Sequence, residues 1–293
     1  MEGGAGIPEG GVTRATLAVI LARGLGSRLR VDDGAALTPA QEAAAAAGAK
    51  GLMPVAGRPF LDFLLHELAD AGVTDIVFVI APDDARIRQR YDTDASPSRL
   101  RVRFAVQQEP RGTAHALLAA RDAVCAALGA PADDAHHRHF LMCNADDLYP
   151  SASVHALVEL GGPGLVAFDA ESLLAGGTME PSRIRAFALL GIGDDGTLTE
   201  IVEKPPEDHP LALADTRWVS MNLWRFTDAI FDDCAAVQPS ARGELELADA
   251  VRHAMARGER FIAMPQHVEV PGLTHRRDVA ALDALLAGWV PRP

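Results

Sequence analysis

The segment Leu17-Ala-Val-Ile-Leu-Ala-Arg-Gly-Leu-Gly-Ser-Arg-Leu29 reads as a buried strand running straight into a glycine-bearing loop. Gly24 and Gly26 leave the main chain there unobstructed, so anionic oxygens can approach its N–H groups. Arg28 follows as a fixed planar charge, and Lys50 offers a second, compact one. The loop is not a Walker loop, and it lacks the third glycine of the dinucleotide fingerprint. Taken alone, it reads almost as well as a tight strand-to-helix turn with a solvated arginine.

Seven further apolar runs with β-branched character follow this one at 16–21, namely 76–80, 101–106, 140–143, 165–168, 187–192, 219–226 and 261–270. Helix-period segments lie at 60–71, 114–128, 151–160, 244–256 and 275–286, with Gly72 and Gly258 at expected helix stops. This alternation predicts an α/β fold: an open, mixed but mostly parallel Rossmann-like sheet with helices on both faces. Residues 32–49 are alanine-rich and fit either a surface helix or a mobile flap, while 172–183 and 205–215 read as loops. Residues 1–14 read as a flexible lead-in to a single domain over 15–293, with a first half to about 150 and a second half beyond it.

With 48% hydrophobic residues, the 293-residue chain can bury a substantial core. Forty acidic against 27 basic residues give a net charge of -13, which disfavours nucleic acid and membrane surfaces as partners. A small phosphorylated molecule is compatible, because a few basic side chains in a pocket suffice. Three separated cysteines suggest neither a disulfide framework nor a zinc knuckle, and fit a reducing cytoplasm. Neither a signal peptide nor an apolar run of membrane-spanning length is visible.

Other segments carry chemistry. Gln107-Gln-Glu-Pro-Arg-Gly-Thr-Ala-His115 leads from a strand into a helix, where an amide that both donates and accepts matches the edge of uracil or thymine. Thr113 is equally a plausible helix cap. Phe140-Leu-Met-Cys-Asn-Ala-Asp-Asp-Leu-Tyr149 is a buried strand ending in two carboxylates, the hard oxygens that magnesium prefers while bridging phosphates. An Asp-rich turn is the bland alternative. In Glu200-Ile-Val-Glu-Lys-Pro205 a carboxylate suits paired hydroxyls and an ammonium suits a phosphate, although a solvated ion pair explains the tripeptide alone. Glu244 and Glu246 read as acids opening a helix, and His136, His137 and His139 as a solvated loop. His115 reads as packing on its helix, and Gly-Trp-Val-Pro near the C-terminus as a contact, leaving a homo-oligomer open.

The loop Leu-Ala-x-Gly-x-Gly-Ser-Arg resembles the signature of the sugar-1-phosphate nucleotidylyltransferases. Lys50-Gly-Leu-Met-Pro-Val-Ala-Gly-Arg-Pro59, the helix after it and Ala71-Gly-Val-Thr-Asp-Ile-Val-Phe-Val79 resemble that family's next block. The resemblance implies nucleotide contacts from Ala22, Gly24, Gly26, Ser27, Gln107, Gly112 and Thr113, and catalytic roles for Arg28, Lys50 and Asp146. It implies sugar-phosphate contacts from Glu203, Lys204 and Asn222, and magnesium on Asp146. The family's second metal aspartate has no counterpart here, and Glu269 is the nearest acid. Arg23 stands where Ala or Gly is usual, and either adds charge to the site or points outward; Ala188 replaces a glycine found near the sugar, and the segment from Arg28 to Lys50 is longer than usual.

The implied reaction is attack of a sugar 1-phosphate oxygen on the α-phosphorus of a nucleoside triphosphate, UTP or dTTP by the Gln107 block, with pyrophosphate leaving. The nucleophile is already an anion, so positioning and charge neutralisation carry the work. A nucleotide-sugar-binding regulator without turnover, and a nucleotidylyltransferase for a non-sugar phosphate, remain as alternatives. A glycosyltransferase fits less well, for want of an Asp-x-Asp motif.

Overall fold

The computed structural model describes residues 14–24, 26–129, 138–175, 179, 181–184, 186–206, 208–213 and 217–293. The lead-in (apart from Arg14), Leu25, His136 and His137 therefore lie outside the described residues. Among the described residues twelve strands are formed: β1 Leu17–Leu21, β2 Pro54–Val55, β3 Arg58–Pro59, β4 Asp75–Ile80, β5 Arg101–Val106, β6 His139–Asn144, β7 Gly164–Asp169, β8 Ala188–Ile192, β9 Leu198–Val202, β10 Trp218–Ser220, β11 Trp224–Thr227 and β12 Ile262–Gln266. Ten of them make one sheet in the order β5-β4-β1-β6-β11-β7-β10-β8-β9, with β12 also on β7, while β2 and β3 form a separate hairpin. β5, β4, β1 and β6 run parallel, as does β12 beside β7; β8, β9, β10 and β11 add antiparallel pairs.

Every residue of β4 is buried, the pattern of a strand covered on both faces. Successive side chains alternate between two cores. Ala18, Ile20, Ile76 and Phe78 pack with Phe60, Phe63 and Leu64 of the helix Phe60–Asp70. Leu17, Val19, Val77 and Val79 pack instead with Leu117 and Val251, from the helices Thr113–Ala119 and Leu247–Ala256.

The structure corrects several expectations. The strand expected over 219–226 breaks between β10 and β11, because Asn222 takes a left-handed conformation at φ 60 that asparagine tolerates better than most residues. The helix expected over 114–128 divides at Ala120, whose N–H closes a tight turn on Leu117. The helix expected from 244 begins at Leu247: Glu246 is its extended cap and Glu244 lies outside it. Residues 39–47 form the surface helix Pro39–Ala47, started by a reciprocal Thr38–Gln41 capping box. Short helices Ala170–Ala175, Pro181–Ile184 and Pro210–Leu213 occupy stretches read as loops. Outside these corrections, Trp289 packs edge-on against Phe63 and His66 within the chain, and Val290 beside it is exposed.

Candidate active site

The parallel register brings four strand ends to one edge. Leu21 lies beside Val79 and Asn144, and Ile80 beside Val106. The loops that follow therefore leave the sheet together, at the carboxyl edge where open α/β sheets bind ligands. Main-chain bonds from Ala22 N–H to Val79, Gln107 N–H to Ile80 and Ala145 N–H to Leu21 continue the ladder one step past the strands.

A cleft opens there, lined by Ala22, Gly24, Gly48, Lys50 and Asp146 among others. The Lys50 Nζ donates to Asp146 Oδ2 at 2.6 Å, with both side chains largely shielded. Lys50 reaches this point from the turn Lys50–Leu52 because the Gly48 main chain packs directly on Gly26. Gly26 sits at φ 59, and a Cβ there would fall on the Gly48 carbonyl, so glycine is required for both reasons. Gly24 has open space instead, with nothing within 4 Å of a built Cβ.

The two adjacent acids diverge. Asp147 is buried and accepts from Asn144 Nδ2 at 3.0 Å and from the Tyr149 hydroxyl at 3.3 Å. Asn222 Nδ2 reaches Asn144 Oδ1 at 3.4 Å, so the predicted sugar residue adjoins this network. Gly272 pairs opposite Asp147, and a Cβ on it would meet Asp147 Oδ1 at 2.7 Å and Arg183 Nη2 at 3.1 Å. Arg183 was not singled out from the sequence, since no motif marks it; its Nη1 is buried without a partner. Glu269, expected as a second metal ligand, is solvent-exposed, and the residue turned into the protein beside it is Val270. Among the described residues, no group of three or more His, Cys, Asp or Glu side chains is arranged to hold a metal.

Burial, and then the neighbouring Asp146 charge, push the Asp147 carboxyl up to about 6, against the pull of Asn144, Arg183 and Lys50. Its proton is held more tightly in the folded chain than in the unfolded one, so this penalty is absent below about pH 4 and complete above about pH 6. Asp147→Asn is therefore expected to be more stable than the parent near pH 8 and to lose the advantage near pH 4. Urea unfolding at the two pH values checks this; an equal difference at both would contradict it.

On the other side of the edge, Gln107 is buried, and its Nε2 donates to the Gly112 carbonyl at 3.2 Å and lies 3.1 Å from His115 Nδ1. The amide donor expected to read a base is thus committed within the protein. Thr113 Oγ1 does not cap its own helix; it accepts from Leu247 N–H at 2.9 Å, tying the helix Leu247–Ala256 to this corner. Arg23 points inward: Nε donates to the Gln107 carbonyl at 2.7 Å and Nη2 to that of Gln108 at 3.1 Å.

Arg28, Ser27, Glu203 and Lys204 are among the predicted residues that stand apart from the cleft lining. Arg28 and Ser27 are exposed on the short helix after the glycine loop. Glu203 and Lys204 line a second groove with Ser240, Arg242, Glu246 and Arg252. Burial and then Glu246 raise the Glu203 carboxyl, whereas Lys204, 3.9 Å away, and Arg242 lower it. Lys204 takes a left-handed conformation at φ 43. Arg242, missed in the sequence because it precedes acids read as a plain helix start, pairs with Glu246 at 2.5 Å and lies 3.9 Å from Glu203.

An open α/β sheet with a glycine-lined cleft, a lysine and a carboxylate at its carboxyl edge is of the nucleotide-diphospho-sugar transferase type. The family described as "Nucleotidyl transferase" matches residues 17–289, and the chain belongs to it. The low-salt glycan biosynthesis nucleotidyltransferase Agl11 of Haloferax volcanii is 30% identical over 251 residues, covering 85% of this chain and 59% of that protein. The UTP–glucose-1-phosphate uridylyltransferase AglF of the same organism is 30% identical over 234 residues, 80% of this chain and 81% of its own length. A glucose-1-phosphate thymidylyltransferase of Streptomyces antibioticus is 30% identical over 250 residues, 84% of this chain and 59% of the relative. The chain thus spans 59% of the length of two of these relatives. In fold it is similar to a UDP-glucose pyrophosphorylase solved with UDP-glucose, at TM-score 0.65 and 16% identity over 93% of this chain and 97% of that one. No described helix is long and apolar enough to cross a membrane.

Proposed function

We propose that this chain joins a sugar 1-phosphate to UTP or dTTP, releasing pyrophosphate. The observation that carries the reading is the Lys50–Asp146 pair at 2.6 Å on the lip of the glycine loop. An ammonium and a carboxylate in one half-buried cleft are matched to an anionic ligand together with a cation. Bare main chain at Gly24 admits phosphate oxygens, and Lys50 neutralises charge that gathers on the leaving pyrophosphate. Asn222 and Asn144 present amide groups suited to sugar hydroxyls.

Magnesium fits this donor set as an ion held chiefly by substrate phosphates. Asp146 supplies one hard oxygen site, and the ion takes one or two carboxylates with phosphates and water as its usual partners. When bound, it would neutralise charge on the phosphates. The names of AglF and the thymidylyltransferase support UTP or dTTP and glucose 1-phosphate as substrates to try first.

The decisive assay incubates the chain with each of five nucleoside triphosphates and a panel of sugar 1-phosphates, with magnesium, and weighs the products. A nucleoside diphosphate sugar is expected with UTP or dTTP. Tight binding of a nucleotide sugar without any product would favour a regulatory protein instead.

A further inference from the structure

We propose that Arg23 determines which nucleobase the cleft accepts, selecting bases that turn a carbonyl oxygen toward its guanidinium; this rests on the nucleotide reading above. Arg23 adjoins Gly24, which lines the cleft, and its side chain is fixed rather than solvated. The bonds to the Gln107 and Gln108 carbonyls, at 2.7 and 3.1 Å, carry the guanidinium from the end of β1 past β4 to the end of β5. It therefore lies along the edge where ligands of such sheets bind. Two of its three nitrogens have acceptors; the third, Nη1, is shut away from water with none. A charged donor left in this state is unfavourable, and a shift of the loop that admits a ligand oxygen beside it relieves the cost.

The neighbouring groups do not compete for that oxygen. Gln107 Nε2 already faces Gly112 and His115, and the Thr113 hydroxyl already accepts from Leu247. Uracil and thymine offer carbonyl oxygens, whereas adenine presents an amino donor at the matching position, and donor against donor is repulsive. The cationic tip so placed favours UTP and dTTP over ATP.

The test is equilibrium titration of UTP, dTTP and ATP, each with magnesium, into the unaltered chain, Arg23→Ala and Arg23→Lys, with a melting curve for each. Arg23→Ala is expected to weaken UTP and dTTP by about tenfold or more, the loss of a hydrogen bond to a charged group, and to leave ATP nearly unchanged. Arg23→Lys, which keeps one cationic donor, should retain part of the preference, and it decides the matter if the alanine variant does not fold. Equal losses for all three nucleotides would mean that Arg23 only braces the loop, and would overturn the inference. So would a parent chain that binds all three alike. A parent chain that binds no triphosphate at all would instead overturn the proposed function.

Discussion

Asp146→Asn is expected to lower pyrophosphate release by roughly 10²- to 10³-fold, the scale seen when one preorganised electrostatic group is removed from a transition-state site. Asparagine keeps the shape, so folding should be intact, but the charge that faces Lys50 at 2.6 Å disappears. Lys50 then lacks its anion in a shielded position, and the cleft lacks its hard oxygen donor. Lys50→Ala removes the other half of the same contact, and the two losses should not add, because residues in direct contact are energetically coupled. Steady-state kcat and KM for both single variants and the double variant measure this. Near-normal turnover in Asp146→Asn would show that the cleft is not where the chemistry occurs.

Gly112→Ala is expected to destabilise the chain by about 2–5 kcal/mol, from left-handed backbone strain and steric overlap together. Gly112 sits at φ 109, and a Cβ would lie 2.5 Å from the Leu245 carbonyl and 2.7 Å from its nitrogen. Neither atom can retreat freely, since Leu245 N–H donates to Arg111 at 2.7 Å and its carbonyl accepts from Ala114 at 2.9 Å. Moving them would also disturb the Thr113–Leu247 bond. Gly24→Ala makes the contrast: its added methyl meets nothing in the protein, so stability should hold while triphosphate affinity falls. Urea unfolding of both variants separates the two cases, and equal stability would contradict the packing account.

The first half of the fold was legible because β1, β4 and β6 are near-continuous apolar runs and its helices are periodic. β1, β4, β5 and β6 lie within a residue or two of the runs expected for them. The second half was harder. β9, Leu198–Val202, carries polar residues between its apolar ones, and the break at Asn222 depends on a backbone conformation that hydrophobic patterning does not encode. Within the site, Lys50 and Asp146 were singled out through the family resemblance, and they do meet. Glu269, the acid nearest in sequence to the missing aspartate, is exposed while Val270 faces inward, an arrangement that the sequence pattern does not foretell. Arg183 comes near Asp147 only through a tertiary approach past Gly272. Lys204 and Glu203 share a groove with Arg242, a grouping that the Glu-Lys-Pro tripeptide does not foretell.

The central claim is that triphosphate oxygens settle between the glycine loop, Lys50 and Asp146. A crystal structure of the chain with magnesium and a non-hydrolysable UTP analogue tests it directly. The account predicts phosphate density against Gly24 and Lys50, with Asp146 facing the ion; phosphates seated in the Glu203–Arg242 groove, with the Lys50–Asp146 pair undisturbed, would contradict it.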